Sequence, residues 1–412
     1  MAESTQPLSA RAKLAVTAGR AAAAVSRAAG RGSGSVIGGK VALRLDPELL
    51  SRLAGHLDVV LVSATNGKTT TTRLIAEALR AGGEVVSNAL GANMPAGITS
   101  ALSGGATARY GVIEVDEKYL AGVARDVSPK VIALLNLSRD QLDRAAETRM
   151  LAEHWREGLQ GVKATVVANA DDPLVVWAAS SSGDVVWVAA GQEWKDDAWS
   201  CPSCGGVLHR NGDDWRCAGC GFGRPTPTWV LSGDHVLDPH GSAWPIRLQL
   251  PGRANKANAA SSAAVAAVFG IPPHVSLERM QAVTAVAGRY DIVSYQGRDV
   301  RLLLAKNPAG WLETFSLIDP PPAPVILSVN ARGADGTDTS WLWDVDYTRL
   351  LGHPVAVIGD RKLDLAVRLD VAGVDFRVCA DAAEAVATLP PGRIEAIANY
   401  TAFQDLRRVV GN

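Results

Sequence analysis

Hydrophobic residues run along much of this chain in short, unalternated blocks separated by helix-length stretches. Leu57–Ser63, Tyr110–Val115, Lys130–Leu137 and Ala164–Ala168 are such blocks. A strand wet on one face alternates apolar and polar side chains, whereas a strand covered on both faces reads as a continuous apolar run. These blocks therefore predict a parallel sheet with helices on both sides. Thr70–Leu79 has helical spacing, and an Ala-rich helix is predicted over Ala257–Phe269. A second series begins near Arg289, with strand candidates Val300–Leu304, Pro324–Val329, Val355–Ile358, Phe376–Val378 and Ile394–Ala398. The expected fold class is α/β, with a larger central domain over 46–288 and a smaller, Rossmann-like, doubly wound domain over 289–412.

Residues 1–45 differ from both. They are rich in Ala, Gly and Ser and carry Arg11, Lys13, Arg20, Arg27, Arg31, Lys40 and Arg44 against a single acid, Glu3. A helix with a cationic face is predicted over Leu8–Ala29, ended by the Gly30–Gly34 stretch. A secretory signal needs about 7–15 uninterrupted apolar residues, and Ala21–Val25 is too short before Arg27 intervenes, so export is not expected. Two readings stay open for this helix: a solvated helix packed on the main domain, or a surface attracted to an anionic membrane or acidic partner.

Bulk composition narrows the class. The 412 residues suggest about two or three domains at roughly 150 residues each. The net charge is -1, with 47% hydrophobic and 20% charged residues, which excludes a disordered chain. There is no overall basic excess of the kind nucleic-acid binding uses. No apolar run approaches the roughly 18 residues of a membrane span. A large soluble cytosolic protein is expected, and five cysteines are too few for a secreted disulfide scaffold of this size.

The strongest chemical signal is Ser63-Ala64-Thr65-Asn66-Gly67-Lys68-Thr69-Thr70, between a predicted strand and a predicted helix. A polyphosphate needs close backbone N–H groups, which Gly67 permits. Lys68 can neutralise its oxygens, the Thr69 hydroxyl can reach Mg²⁺, and the helix adds its positive dipole end. The usual first glycine of such a loop would sit at Val62 and is absent; an unrelated Gly-Lys-Thr turn is the competing reading. Glu114, at the carboxyl end of the next strand, is a candidate direct or water-mediated Mg²⁺ ligand, against the alternative of a surface acidic cluster.

Four cysteines form C-x₂-C-x₁₂-C-x₂-C: Cys201, Cys204, Cys217 and Cys220, within an insert spanning about 194–224. Two tight turns aiming four thiolates at one ion fit a closed, structural Zn²⁺ site. Two disulfides or iron–sulfur ligation are the weaker readings. Zinc ribbons also bind nucleic acid, but Arg210, Arg216 and Arg224 stand beside Asp213 and Asp214 without a basic stripe. Cys379 lies in a predicted strand and reads as core.

Several segments in order carry a family resemblance. The loop Ala64–Thr70 is similar to the ATP loop of the Mur ligase superfamily, whose usual form has Gly where Ala64 stands. Asn136-Leu137-Ser138-Arg139-Asp140-Gln141-Leu142-Asp143-Arg144 resembles that family's Asn…Asp-His-x-Asp segment, with Gln141 in place of His. Asn169-Ala170-Asp171-Asp172-Pro173 follows a strand as in the family. Gly252-Arg253-Ala254-Asn255-Lys256-Ala257-Asn258 resembles Gly-x-His-Asn-x-x-Asn, with Ala254 in the His position. Gly288-Arg289 resembles the junction with the last domain, and Lys306-Asn307-Pro308 a His-Asn-Pro turn. The resemblance implies a Mur-type ATP-binding domain using ATP and Mg²⁺, with Asn255 at the adenine and Arg289 approaching ATP. The two missing histidines put the second metal position of ordinary Mur ligases in question, since Gln141 offers only a neutral carbonyl oxygen.

The four-Cys insert, Asp140-Gln141-Leu142-Asp143-Arg144, the segment Ala334–Asp344 and Asn399-Tyr400-Thr401-Ala402 together resemble the MurT subgroup over about residues 40–405. That resemblance implies the synthetase half of a lipid II isoglutaminyl synthase, acting in the cytoplasm at the inner membrane face with a GatD-type glutamine amidotransferase. Its substrate would be the D-glutamate α-carboxyl of the lipid II stem peptide, activated as an acyl phosphate and aminated by ammonia. It further implies that an aspartate of this chain assists the partner's Cys–His pair: Asp335 first, then Asp338 and Asp344, with an ordinary Asp335-Gly336 turn as the bland reading. Trp341 and Trp343 alternate there as core or partner contacts. The rival enzyme reading is a folylpolyglutamate-synthase-like amino-acid ligase; the non-enzyme reading is an ATP-dependent scaffold docked through the zinc insert.

Overall fold

The computed structural model describes residues 8–30, 34–88, 91–140, 148–284 and 290–411. The chain forms two compact units. The first comprises Met1–Leu137, Thr148–Gln249 and Ala254–Thr284; the second comprises Ser138–Glu147, Leu250–Arg253 and Ala285–Asn412.

In the first unit, the four apolar runs become β1 (Asp58–Ser63), β3 (Tyr110–Glu114), β4 (Val131–Leu134) and β5 (Thr165–Asn169); β2 (Val85–Ser87) and β6 (Val185–Ala189), partly exposed and unmarked by the sequence pattern, join them, all parallel. The four-Cys insert contributes a separate hairpin, β7 (Leu208–Asn211) and β8 (Asp214–Cys217). Beyond it, β9 (Trp229–Ser232), β10 (His235–Leu237) and β11 (Ala243–Pro245) rejoin the main sheet, whose order is β11-β10-β9-β6-β5-β4-β1-β3-β2. β1, β3 and β4 are buried along their whole length apart from the first residue of β1, as their unalternated apolar runs require. The three strands after the insert escape the sequence pattern because they are three or four residues long and partly exposed.

The amino-terminal segment folds into the helices Ala10–Ala28 and Ser35–Leu45 within the first unit. Ser9 caps the first, its hydroxyl accepting from Ala12 N at 3.2 Å. Small residues make the crossing: a Cβ on Gly19 would lie 2.7 Å from Gly38 O, and one on Gly39 would lie 1.7 Å from Ala96 O, in the helix Pro95–Leu102. Among the described residues no helix is long and apolar enough to cross a membrane.

The second unit is a six-stranded sheet: β12 (Tyr290–Tyr295), β13 (Arg298–Leu304), β14 (Val325–Ser328), β15 (Val355–Ile358), β16 (Phe376–Val378) and β17 (Ile394–Ala398), in the order β12-β13-β17-β14-β15-β16. Only β12 is antiparallel. It joins β13 through Gln296 and Gly297, both at positive φ, the conformation a tight two-residue hairpin needs. The sequence pattern does not mark β12 as a strand, because an edge strand half-exposed on both faces carries no buried run. One face of the sheet packs on Trp311, Phe315, Trp341 and Tyr347; the other packs on Cys379, Phe403 and Leu406.

The close helix crossing is testable. Gly39→Ala should lower stability by about 1–3 kcal/mol through overpacking against backbone, whereas Gly122→Ala, in the helix Leu120–Val127 with open space around it, should be neutral or mildly stabilising. Thermal unfolding reads both; equal responses would contradict the packing.

Candidate functional site

β1 delivers the chain to the carboxyl edge of the sheet, and the helix Lys68–Leu79 leaves from it. Val62 is a fully buried ladder position paired with Glu114 on β3 and Ala133 on β4, so strand geometry occupies the place of the usual first glycine. Gly67 takes φ +86 as the residue before the helix, and a Cβ there would meet Asn258 Oδ1 at 2.8 Å. The loop is pinned from β4's exit by Asn136. Thr65 N donates to Asn136 O at 3.0 Å, Asn66 N to Asn136 Oδ1 at 2.9 Å, and Asn136 Nδ2 returns a bond to Asn66 O at 2.9 Å. Buried backbone groups of a loop must find partners, and these bonds supply them.

Within this frame the predicted side chains converge. Thr65, Lys68, Thr69 and Thr70 are buried. Thr69 Oγ1 donates to Glu114 Oε2 at 2.7 Å, and Asn93 Nδ2 donates to Glu114 Oε1 at 3.1 Å. Asn88 holds the Glu114 backbone on both sides, accepting from its N–H and donating to its O at 2.8 Å each. Lys68 Nζ pairs with Glu117 Oε2 at 2.9 Å and donates to Ala64 O. Asn255 lies one helical turn before Asn258 in the helix Arg253–Val268, on the face that approaches Gly67. Arg289 and Gln141 lie outside the described residues.

Glu117, Asn88, Asn93 and Asn136 join the site without having been assigned a role from sequence. For Glu117 the signal was present, three residues beyond Glu114 in the same acidic run. Chemically, the arrangement offers helix N–H groups and a lysine to phosphate oxygens. The 2.7 Å between Thr69 and Glu114 oxygens is close to the roughly 2.9 Å separating adjacent ligands of an octahedral ion held at about 2.0–2.1 Å, so these two residues could hold Mg²⁺.

The four cysteines come together as two pairs: Cys201 and Cys220 sulfurs are 3.7 Å apart, Cys204 and Cys217 sulfurs 3.5 Å, and all four lie within 4.8 Å. A tetrahedral Zn²⁺ at about 2.3 Å from each sulfur requires separations near 3.8 Å, whereas a disulfide requires about 2.05 Å. Gly205 and Gly221, both at positive φ, close matching turns by donating to Cys201 O and Cys217 O. Burial pushes the Cys201 thiol up to about 12, while the Cys220 amide leads the groups that bring Cys217 down to about 7.

The insert is tied to the main sheet at the exit of β5. Trp215 Nε1 donates to Ala170 O at 3.2 Å, and Arg224 pairs with Asp171 at 2.6 Å. The next residue, Asp172, is fully buried and accepts from Leu137 N at 2.8 Å, adjacent to Asn136. A continuous set of bonds thus runs from the insert through Asn169–Asp172 to the phosphate loop. Burial pushes the Asp172 carboxyl up to about 6 despite the Leu137, Val175 and Leu174 amides that oppose the rise.

In the second unit, the three aspartates have different settings. Asp335 is buried: its Oδ1 accepts from Thr401 N at 2.9 Å, and its Oδ2 accepts from the Thr401 hydroxyl and from Arg332 N at 3.3 Å. It therefore caps the helix Tyr400–Val410, whose N-terminal dipole favours the charge. Asp338 is half-buried and accepts from Ser340 N at 2.8 Å; exposed Asp344 pairs with Arg139 at 3.2 Å. Arg332 bridges Asp360 and Asp405, both at 2.6 Å, which holds the Asp360 carboxyl below the usual carboxylate range. Lys306 pairs with Asp140 at 2.6 Å. Trp341 is core, whereas Trp343 is exposed and covers the Arg368 guanidinium at 4.1 Å.

Comparison with known proteins gives the family. Residues 62–266 match the Mur ligase middle domain, and residues 304–403 match the MurT ligase C-terminal region. A protein of Staphylococcus aureus named as the MurT subunit of lipid II isoglutaminyl synthase (glutamine-hydrolyzing) is 30% identical over 408 residues, covering 92% of this chain and 93% of its own. This chain belongs to the MurT family of Mur ligases. A second MurT-family relative, from Streptococcus pneumoniae, is 31% identical over 83% of each chain. Among solved structures, a pseudomurein peptide ligase type C from Methanothermus fervidus superposes with a TM-score of 0.68 at 19% identity, over 90% of this chain and 84% of that one. MurF ligase from Thermotoga maritima in complex with ADP gives 0.64 at 16%, over 90% and 83%. These likenesses establish the Mur ligase α/β fold.

Asp172 makes this site pH-dependent. Its folded pKa lies above its unfolded value, so the folded protein takes up a proton first as pH falls and gains stability from about pH 6 to about pH 4. Urea unfolding of the wild type against Asp172→Asn should show the difference moving toward the wild type by about 3 kcal/mol between pH 7 and pH 4. A pH-independent difference would contradict the assignment.

Proposed function

We propose that this chain is the ATP-dependent synthetase subunit of a lipid II isoglutaminyl synthase. It would convert the α-carboxyl of D-glutamate in the lipid II stem peptide to a carboxamide, in cell-wall peptidoglycan synthesis. The observation that carries the reading is the near full-length match to MurT-family relatives, joined to a phosphate loop in which Thr69 bonds Glu114 and the adjacent Lys68 pairs with Glu117.

A carboxylate is a poor electrophile, and activation solves this. Thr65, Asn66, Gly67, Thr69 and Thr70 would line the triphosphate site, and by the family resemblance Asn255 would reach adenine and Arg289 would approach ATP. A carboxylate oxygen of the substrate attacks the γ-phosphorus; the bond to the β-phosphate oxygen breaks, and ADP leaves. Lys68 exchanges Glu117 for the transferring phosphoryl oxygens and stabilises their charge. Thr69 and Glu114 would hold Mg²⁺, which neutralises phosphate charge when bound. Ammonia then attacks the acyl carbon, loses a proton, and inorganic phosphate departs with the former carboxylate oxygen.

Ammonia must come from elsewhere. Four cysteines form the metal cluster, which we read as a zinc-ribbon site with structural Zn²⁺, and Cys379 is buried in the second unit's core. A separate GatD-type glutamine amidotransferase fits the need. Asp335, held by Thr401 and Arg332, is the carboxylate we assign to orienting its Cys–His pair; Asp338 and Asp344 are the alternatives. The setting is the cytoplasm at the inner membrane face, with no nucleic acid involved. The match of residues 304–403 to the MurT C-terminal region favours this over a folylpolyglutamate-synthase-like ligase.

Amidation of lipid II with the amidotransferase present tests the roles separately. Lys68→Ala should lose on the order of 100-fold or more with either glutamine or ammonia as nitrogen source. Asp335→Asn should lose glutamine-driven amidation and keep the ammonia-driven reaction; equal losses would reassign it. Metal analysis should find about one Zn per chain, lost in Cys201→Ser; unchanged metal in that variant would refute the zinc site.

A further inference from the structure

The amino-terminal helices carry a feature that the amidation chemistry does not use. From residue 4 to residue 45 there is no acidic residue, against seven cations, so residues 1–45 hold a net charge of +6 (seven cations minus Glu3) in a chain whose total is -1. The remaining residues therefore carry -7. Arg11, Lys13, Arg20, Arg27, Lys40 and Arg44 are all exposed. A charge this one-sided in a near-neutral protein is a surface property, not a compositional one.

The helix Ala10–Ala28 arranges its share in a row. Its buried stripe is Ala12, Ala15, Gly19, Ala23 and Ser26. Lys13, Arg20 and Arg27 are spaced by seven, which returns to nearly the same side of a helix, drifting by about 20° per step. They lie on one flank. The outward side next to them is apolar: Leu14 is 64% exposed and Val25 70% exposed, among Ala10, Ala21 and Ala28. The second helix repeats the combination, turning exposed Ile37, Lys40 and Arg44 away from its buried Gly38, Gly39 and Ala42. A solvated helix gains nothing from pairing exposed Leu, Val and Ile with an acid-free cationic surface. An interfacial helix gains from both, because the apolar side enters the acyl boundary while the cations meet anionic headgroups.

Both helices are anchored on the first unit. The second helix packs on the helix Pro95–Leu102, and Asn93, two residues before that helix, donates to Glu114 at 3.1 Å.

We propose that these two helices are a docking surface for an anionic lipid bilayer, holding the synthetase at the membrane face. The attraction is electrostatic with a shallow apolar insertion, so it is reversible and screened by salt. Arg20 also donates to Ser103 O at 2.6 Å, which fixes the first helix on the unit and keeps its row in place.

Flotation of the full-length chain with vesicles tests this independently of the reaction. Vesicles of phosphatidylglycerol mixed with phosphatidylcholine should bind the protein, pure phosphatidylcholine vesicles should not, and raising salt should release it. Lys13→Gln/Arg27→Gln should weaken binding about 25-fold, roughly fivefold per cation removed, and Leu14→Ser/Val25→Ser should weaken it at unchanged charge. Circular dichroism and unfolding temperature establish that each variant is folded; Lys40→Gln/Arg44→Gln gives a second charge pair should the first not fold. Equal binding to both vesicle types, or charge variants that bind as the wild type does, would overturn the proposal. So would charge variants that lose the amidotransferase while keeping vesicle binding, since the surface would then serve a protein. Amidation of a water-soluble substrate analogue should be unchanged in the same variants. Its loss in the wild type would count against the amidation reading and leave vesicle binding standing.

Discussion

The three hydrogen bonds between Asn136 and Thr65-Asn66 are the constraint on which the site depends. They fasten a glycine loop emerging from one buried strand to the exit of the neighbouring buried strand, so that Lys68 and Thr69 start their helix from a fixed origin. The consequences propagate outward. Thr69 meets Glu114 because β1 and β3 are in register at Val62 and Glu114. Lys68 meets Glu117, three residues beyond the end of β3, at 2.9 Å. A one-residue slip of either strand would turn these side chains to the other face of the sheet.

The same constraint explains why the four-Cys insert stands where it does. It interrupts the parallel sheet between β6 and β9 but docks at the exit of β5, through Trp215 and Arg224. From there Asp172 reaches Leu137, next to the residue that pins the loop. The insert's four cysteines lie close enough to hold one ion, and an ion there would crosslink a small module that has little apolar core of its own.

Much of this was legible in the residues, and the limits have physical causes. Fully buried strands announce themselves as apolar runs, so the sequence marks Val355–Ile358 and Ile394–Ala398 to the residue. The sequence does not mark β2, β6, β12 or β9–β11, because partly exposed strands have no continuous buried face to print on it. Cysteine spacing revealed the cluster, since ligand geometry is local. The residues of the site divide the same way: Glu114 sits at a strand end where ligands are expected, whereas Asn88 and Asn93 hold Glu114, and Asn136 holds the loop, across 21 to 70 residues, and such pairings exist only in three dimensions. Asp335 shows the reverse limit. Its sequence setting pointed to function, and the structure adds a helix-capping role through Thr401 that an Asp-Gly turn alone does not disclose.

A carboxylate activated as an acyl phosphate on the loop held by Asn136, then aminated, gives up one of its oxygens to phosphate. Tracing oxygen tests it most directly. Lipid II carrying a heavy oxygen isotope in the D-glutamate α-carboxyl, turned over by the complex with ATP and glutamine, should pass one labelled oxygen to inorganic phosphate for each carboxamide formed. Amide formation with unlabelled phosphate, or with the label in AMP, would contradict the account.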